Sequence, residues 1–215
     1  MLVHSFPPVP YRRTERTEKV RLEDRSTILA AARALVENGG YGAASMSAIA
    51  AQAGLATGTL YRHFPSRAGL FSELFRQVAA QEVAATARAA VGRTAVERLS
   101  RAVRTFAERA LRRRRLAYAL LAEPLDPAIE VERLAFRAAY RELFTGIVRD
   151  GVRTGELPRQ DVALAGAALV GAVGEALVGP LSPSGRPADA RRLLPALVRF
   201  AIRSVSAVPT RGVTP

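Results

Sequence analysis

The sequence predicts an all-α fold of about nine helices, and three observations carry that expectation. Apolar residues recur at the i, i+3, i+4, i+7 spacing of a single helix face over most of the chain. No stretch of useful length alternates apolar and polar residues as a half-buried strand would. Glycine and proline gather between the periodic segments, where they stop helices and open turns. There is no internal repeat.

The elements follow in order. Residues 1–21 read as a flexible arm, because Pro7, Pro8 and Pro10 block regular structure. Arg12, Arg13, Arg16, Lys19 and Arg21 make the arm basic, suited to track phosphates or enter a minor groove, or else a tail with no such task. A helix over Asp24 to Asn38 follows from Ile28, Ala31, Ala32, Leu35 and Val36, and Gly39-Gly40 ends it. A short helix from Met46 to Ala53 has Ser45 as its cap, and Gly54 supplies a tight turn. A third helix covers Thr57 to His63, with Leu60 and Phe64 inward and Pro65-Ser66 as its break. Further helices are expected at 67–91, 94–114, 116–122, 128–154, 161–179 and 188–206, with a kink or restart at Pro195. Residues 22–82 are expected to be one domain and 83–215 a second.

Composition bounds the function. Lys plus Arg number 32 against 19 acids, a net charge of +13 that favours a polyanionic partner, nucleic acid first. Only Lys19 is lysine; with alanine abundant, part of the arginine excess fits the codon bias of a GC-rich genome. The absence of cysteine excludes disulfides, thiolate metal sites and cysteine nucleophiles. His4 and His63 are the only histidines, and no metal-spaced cluster, phosphate-cradling glycine loop or Ser/His/Asp arrangement stands out. No enzyme, cofactor or metal is therefore expected. Met1 to Pro10 holds no apolar run of signal-peptide length, and the run from Val162 to Gly174 is too short for a span of about 20 residues, with Asp161 before it and Glu175 after it. A cytoplasmic, nucleoid-associated protein with no membrane partner is the expectation.

Two short helices joined by a tight glycine turn, with a third packed across them, make a helix-turn-helix. Ala50, Ala53 and Gly54 are small where the short helices cross, and Leu60 and Phe64 anchor the second of them. Thr57, Thr59, Arg62 and His63 are then free to occupy or flank the outer face, and the Tyr61 hydroxyl can reach a phosphate. The run from Ser45 through Gly58-Thr-Leu-Tyr-Arg-His-Phe64, followed by Pro65-Ser66-Arg67 and Leu70, resembles the DNA-binding signature of TetR/AcrR-type transcriptional regulators over roughly residues 22–82. A weaker likeness lies at Gly151-Val-Arg-Thr-Gly-Glu-Leu157.

That resemblance implies an N-terminal three-helix DNA-binding domain followed by a helical ligand-binding and dimerisation domain. It implies phosphate contacts for Ser45, Ser47, Tyr61, His63 and Arg67, and base-edge contacts for Thr57, Gly58 and Thr59. Two positions depart from the pattern. Ala56 stands where a capping serine is common, at a cost of about 1 kcal/mol. Thr57 stands where a basic residue is common, which leaves Thr57 to take over the cap and base reading to lean on Arg62 and Thr59.

The second half offers less. Ala165, Ala167, Gly171 and Gly174 let helices approach closely, and the final helix has a wide apolar face, so the segments near 161–179 and 188–206 are expected to pair two copies of the chain. A dimer matches a palindromic double-stranded DNA operator with half-sites roughly 34 Å apart. Phe106, Tyr118, Phe136, Tyr140 and Phe144 lie on the middle helices, and Phe106, Tyr118, Phe136, Tyr140 and Glu175 are candidate contacts for an unidentified small-molecule effector, with plain core as the bland alternative. Residues 88–115 hold ten arginines against Glu97 and Glu108, read as a solvated face or, more sharply, as a site for an acidic effector. The expected function is a ligand-released repressor. Its rival is a non-specific basic protein that compacts DNA, which would have no need of a large apolar second half.

Overall fold

The computed structural model describes residues 15–123 and 126–207, the side chains of 15–17 and 187–191 excepted. Among them there are nine α-helices, one 3₁₀ turn and no strand: α1 (Glu15–Gly39), the turn Tyr41–Ala43, α2 (Met46–Ala53), α3 (Thr57–His63), α4 (Arg67–Ala89), α5 (Ala95–Arg112), α6 (Arg114–Leu121), α7 (Pro127–Arg153), α8 (Val162–Leu181) and α9 (Pro187–Ser206).

The largest difference from expectation is at the start. Residues 15–21, expected within the arm, form the first turns of α1. No proline or glycine interrupts Glu15 to Asn38, and Lys19 with Glu23 and Arg21 with Glu18 pair along the helix surface. The rest of the arm, with its prolines and Arg12 and Arg13, lies outside the described residues. At the other end, α9 is one continuous helix through Pro195, with no restart there. Pro195 is exposed, so water can meet the carbonyl that loses its donor one turn back.

Two hydrophobic cores divide the molecule. The first is built from Ile28, Leu29, Val36, Ile49, Leu60, Phe64, Leu70 and Phe71, all buried on α1 to α4 or at their ends. The second joins α4, α5, α7, α8 and α9 around Leu99, Tyr140, Phe144, Val148, Leu169 and Leu177. Three elements, α4, α6 and α7, serve both. On α4, Val78 belongs to the first core and Ala79 to the second. On α6, Leu116, Ala119 and Leu120 face the first while Ala117 faces the second. The N-terminal unit is therefore not closed at residue 82: α6 lies against α1, and Ile129 of α7 is fully buried in the same core.

Five helices start on a side-chain cap close in sequence, whereas α3, α6 and α9 start without a side-chain bond from their cap residues Ala56, Arg113 and Arg186. Ser45, Ser66, Thr94, Asp126 and Asp161 each accept a backbone N–H at the start of their helices. At α5 a distant carboxylate joins in: Glu156 accepts from Ala95 N (2.6 Å) and Val96 N (3.0 Å). Desolvation acts to raise the Glu156 pKa, but the bonds from Val96, Ala95 and Thr94, with the charge of Arg98, together outweigh it, and the net shift is downward.

Candidate nucleic-acid interface and inner cavity

Helices α2 and α3 form the helix-turn-helix. Gly54 takes the left-handed conformation (φ 67°, ψ 27°), and the next amide, Leu55 N–H, returns to Ala50 O at 3.0 Å, so the chain reverses in three residues. Leu60 is fully buried and Phe64 nearly so, which locks one face of α3 onto α1 and α2. The opposite face is left outward: Thr57, Gly58, Tyr61 and Arg62 are exposed, and Thr59 is half-buried. Tyr61 is one of the few large hydrophobic side chains that stays exposed, at 47%.

Ser45, Ser47, Thr57, Tyr61 and Arg67 share one concave surface with Tyr41, between the 3₁₀ turn, the N-terminus of α2 and the start of α3. Ser45 Oγ caps α2 by accepting from Ala48 N and lies 3.1 Å from Ser47 Oγ. Hydroxyls and the amides of a helix N-terminus converge there, an arrangement that suits an anion. Arg62 donates to Thr59 Oγ1 at 3.0 Å, which orders a cation over the recognition face.

Three of the expected roles meet a different geometry. Thr57 is not the cap of α3: Ala56 occupies the cap position without a side-chain bond, and Thr57 is already helical. Arg67 is a stitch within the protein. It donates to Ala44 O (3.2 Å) and Tyr41 O (2.6 Å) and lies over the Tyr41 ring at 3.9 Å, fastening the loop before α2 to the start of α4. His63 has a side chain only 9% exposed, with Nε2 3.4 Å from Asp24 Oδ2, so its ring faces α1 and not the outer surface. The sequence contained no sign of Arg25, whose guanidinium donates to His63 O at 2.9 Å, pairs with Glu73 and covers Phe64. It ties the end of the recognition helix to α1 and α4 at once.

In the second core a narrow cavity opens between α5, α7 and α8. Of the candidate effector contacts, Phe106, Phe136, Tyr140 and Glu175 line it, with Arg137 and Phe144 beside them. Tyr118 is the exception. It is half-buried on α6, and Leu121, one turn further on, takes the lining position. The aromatic stripe is tightly packed: Phe106 and Phe136 meet the Tyr140 ring edge-on at 4.8 and 5.0 Å. Tyr140 is 3% exposed, and its hydroxyl lies 3.0 Å from Thr86 Oγ1. Burial pushes the phenol pKa upward, more than the Thr86 bond lowers it, so Tyr140 is a neutral hydroxyl.

The arginine-rich stretch 88–115 is partly neutralised. Arg98 pairs with Asp150, Arg109 with Glu82, and Arg113 lies between Glu82 and Glu37. Arg114 turns inward and donates to Gly185 O (2.7 Å) and Ser182 O (3.3 Å). Arg93, Arg101, Arg104, Arg112 and Arg115 remain exposed.

Helix α8 is long and apolar enough, by length and composition, to cross a membrane, with a mean hydropathy of 1.9. Its inner side packs on α7 and α9, whereas Leu164 on its outer side is 66% exposed and Phe200 on α9 is 52% exposed.

Comparison with known proteins agrees with this geometry. Residues 28–74 match the family described as bacterial regulatory proteins, tetR family, and residues 92–177 match the tetracyclin repressor-like C-terminal domain. Over 48 residues the chain is 52% identical to the HTH-type transcriptional repressor KstR of Rhodococcus jostii, a segment covering 22% of this chain and 23% of that repressor. Over 57 residues it is 44% identical to KstR of Mycobacterium tuberculosis, 26% of each chain. Among solved structures it resembles the regulator FadR of Bacillus subtilis in complex with stearoyl-CoA (TM-score 0.67, 23% identity, 80% of this chain and 97% of that one). It also resembles a TetR-family regulator of Agrobacterium tumefaciens (TM-score 0.68, 21% identity, 87% and 100%). With both the DNA-binding and the C-terminal models matched in order along a nine-helix fold, the chain belongs to the tetR family of bacterial regulatory proteins.

Proposed function

We propose that the protein is a cytoplasmic transcriptional repressor that binds a palindromic DNA operator as a homodimer and releases it when a small molecule enters the cavity between α5, α7 and α8. The observation that carries the DNA reading is the outer surface of α3, where Thr57, Gly58, Tyr61 and Arg62 are exposed while Leu60 and Phe64 hold the helix from behind. Thr57, Gly58, Thr59 and Arg62 are the base-reading groups in this account. Ser45, Ser47 and Tyr61 contact phosphates beside the N-terminus of α2. Arg67 and His63 act mainly by positioning that surface, which follows from their contacts with Tyr41, Ala44 and Asp24.

Dimerisation would use the outward faces of α8 and α9. Leu164 and Phe200 are exposed there together with small residues such as Ala167, Ala168 and Ala196, a combination suited to close helix packing between copies. The effector reading draws support from the cavity and from FadR, whose solved structure contains stearoyl-CoA. Coupling would run through α6. Leu121 lines the cavity, and Leu116 and Leu120 of the same helix are buried against the DNA-binding unit. A ligand that spreads Leu121 and Phe136 therefore shifts a helix on which α1 rests, and with it the spacing of the two recognition helices.

The test is in vitro selection of duplexes from the organism's genomic fragments, followed by footprinting. The expected outcome is an enriched inverted repeat with half-site centres one helical turn, or a multiple of it, apart. Enrichment of no particular sequence would favour the compaction reading instead.

A further inference from the structure

Next to the first cavity is a second, and the two share Phe106, Leu121 and Phe136. Those three side chains form an apolar partition between the two cavities. The far wall of the second cavity is not apolar. It carries Glu82, Arg109 and Arg113.

The charges around that wall do not balance. Arg109 holds Glu82 with a close two-pronged pair, one arm at 2.9 Å. Arg33 holds Glu37 at 3.0 Å. Arg113 is shared loosely, with Nη1 3.6 Å from Glu82 and Nε 3.8 Å from Glu37, both beyond hydrogen-bonding distance. Three guanidinium groups thus face two carboxylates that are already well satisfied, leaving one positive charge over. Arg113 is 47% exposed, so it can turn without unfolding anything.

We infer that displacement of Phe106 or Phe136 joins the two cavities into one channel for an elongated apolar molecule bearing one anionic group, and that Arg113 is the anchor for the anion. The apolar body lies against Phe106, Leu121 and Phe136, and the carboxylate completes the charge balance at Arg113. Engagement there draws Arg113 away from Glu37, the residue through which it touches α1 of the DNA-binding unit. The same event that fills the channel therefore loosens an ionic link to the helix-turn-helix. This inference rests on the effector reading of the cavity.

The test uses decanoate and 1-decanol as probes, titrated calorimetrically into the full-length protein, with Arg113→Gln and the neighbouring exposed Arg112→Gln as variants. Decanoate is expected to bind at least about tenfold more tightly than decanol, which corresponds to about 1.4 kcal/mol. Arg113→Gln should remove that preference while leaving decanol affinity unchanged, and Arg112→Gln should keep it. Equal binding of the two probes, binding of neither, or a preference that survives Arg113→Gln would each overturn the assignment. The effector reading is examined separately, by titrating decanoate against the protein on its selected operator. A decanoate preference that depends on Arg113 but leaves operator affinity unchanged would keep the site and sink the effector reading.

Discussion

Replacing Ala56 by serine should stabilise the recognition helix. Ala56 is the cap residue of α3, with φ −65° and ψ 143° and no side-chain bond. The corresponding residue of α2, Ser45, has φ −71° and ψ 158°, and its hydroxyl accepts the amide of the third helical residue at 3.1 Å. Ser66 does the same for α4 at 3.0 Å. The backbone at Ala56 is therefore already in the conformation that a capping serine uses, and the position is exposed, so the added oxygen displaces nothing. The Thr59 amide, at present bonded to Ala56 O at 2.9 Å, is the donor that the introduced hydroxyl would meet, and a cap of this kind is worth about 1 kcal/mol. Because α3 is a short helix, most of the gain should appear locally: protection of the Gly58 and Thr59 amides against hydrogen exchange should rise roughly fivefold. The melting temperature should rise by about 2–4 °C. Hydrogen exchange with residue-level resolution is the assay. Unchanged protection at both amides would refute the reasoning that α3 begins uncapped.

Other substitutions probe different parts of the account. Tyr61→Phe should weaken DNA binding by roughly 0.5–1.5 kcal/mol for all sequences, whereas Arg62→Ala should cost about 1–3 kcal/mol and relax preference at one base pair, both read in competition titrations. Gly166→Ala should destabilise the second core by about 1–3 kcal/mol in urea unfolding, because a Cβ there collides with Thr145 Oγ1 and stands 3.1 Å from Arg141 O. Glu156→Gln should lower stability at neutral pH. The native pKa of Glu156 is depressed, so its contribution is present above the unfolded value of about 4.3 and fades as pH falls through the native value; wild type and variant should converge in acid. Leu164→Glu combined with Phe200→Glu should yield monomers in sedimentation velocity and abolish the advantage of a palindrome over a half-site.

Much of this architecture was legible in the sequence, for identifiable reasons. Glycine or proline stands at every junction from α4 to α9 except that between α5 and α6, where only Arg113 intervenes; the bounds fall within a few residues of those expected, and the buried face of α3 follows from Leu60 and Phe64 at i and i+4. The first turns of α1 escape such a reading because Glu15 to Glu23 carries charges on every side and shows no apolar stripe. The aromatic lining of the cavity follows from the four-residue spacing of Phe136, Tyr140 and Phe144, but the place of Tyr118 does not, since the facing of a helix as short as α6 depends on what it packs against. Long-range pairs are invisible in sequence. Arg25 with Glu73 and Arg67 with the Tyr41 carbonyl join residues 48 and 26 positions apart, and nothing local marks a cation that holds protein and not phosphate.

The central claim, a surface on α3 that reads sequence, is tested most directly by competition at physiological salt between the selected operator duplex and random duplex of equal length. A specific regulator is expected to prefer its operator by about a thousandfold or more, and Arg62→Ala should erode that ratio. Equal affinity for the two duplexes would contradict the account and leave only the +13 charge to explain binding.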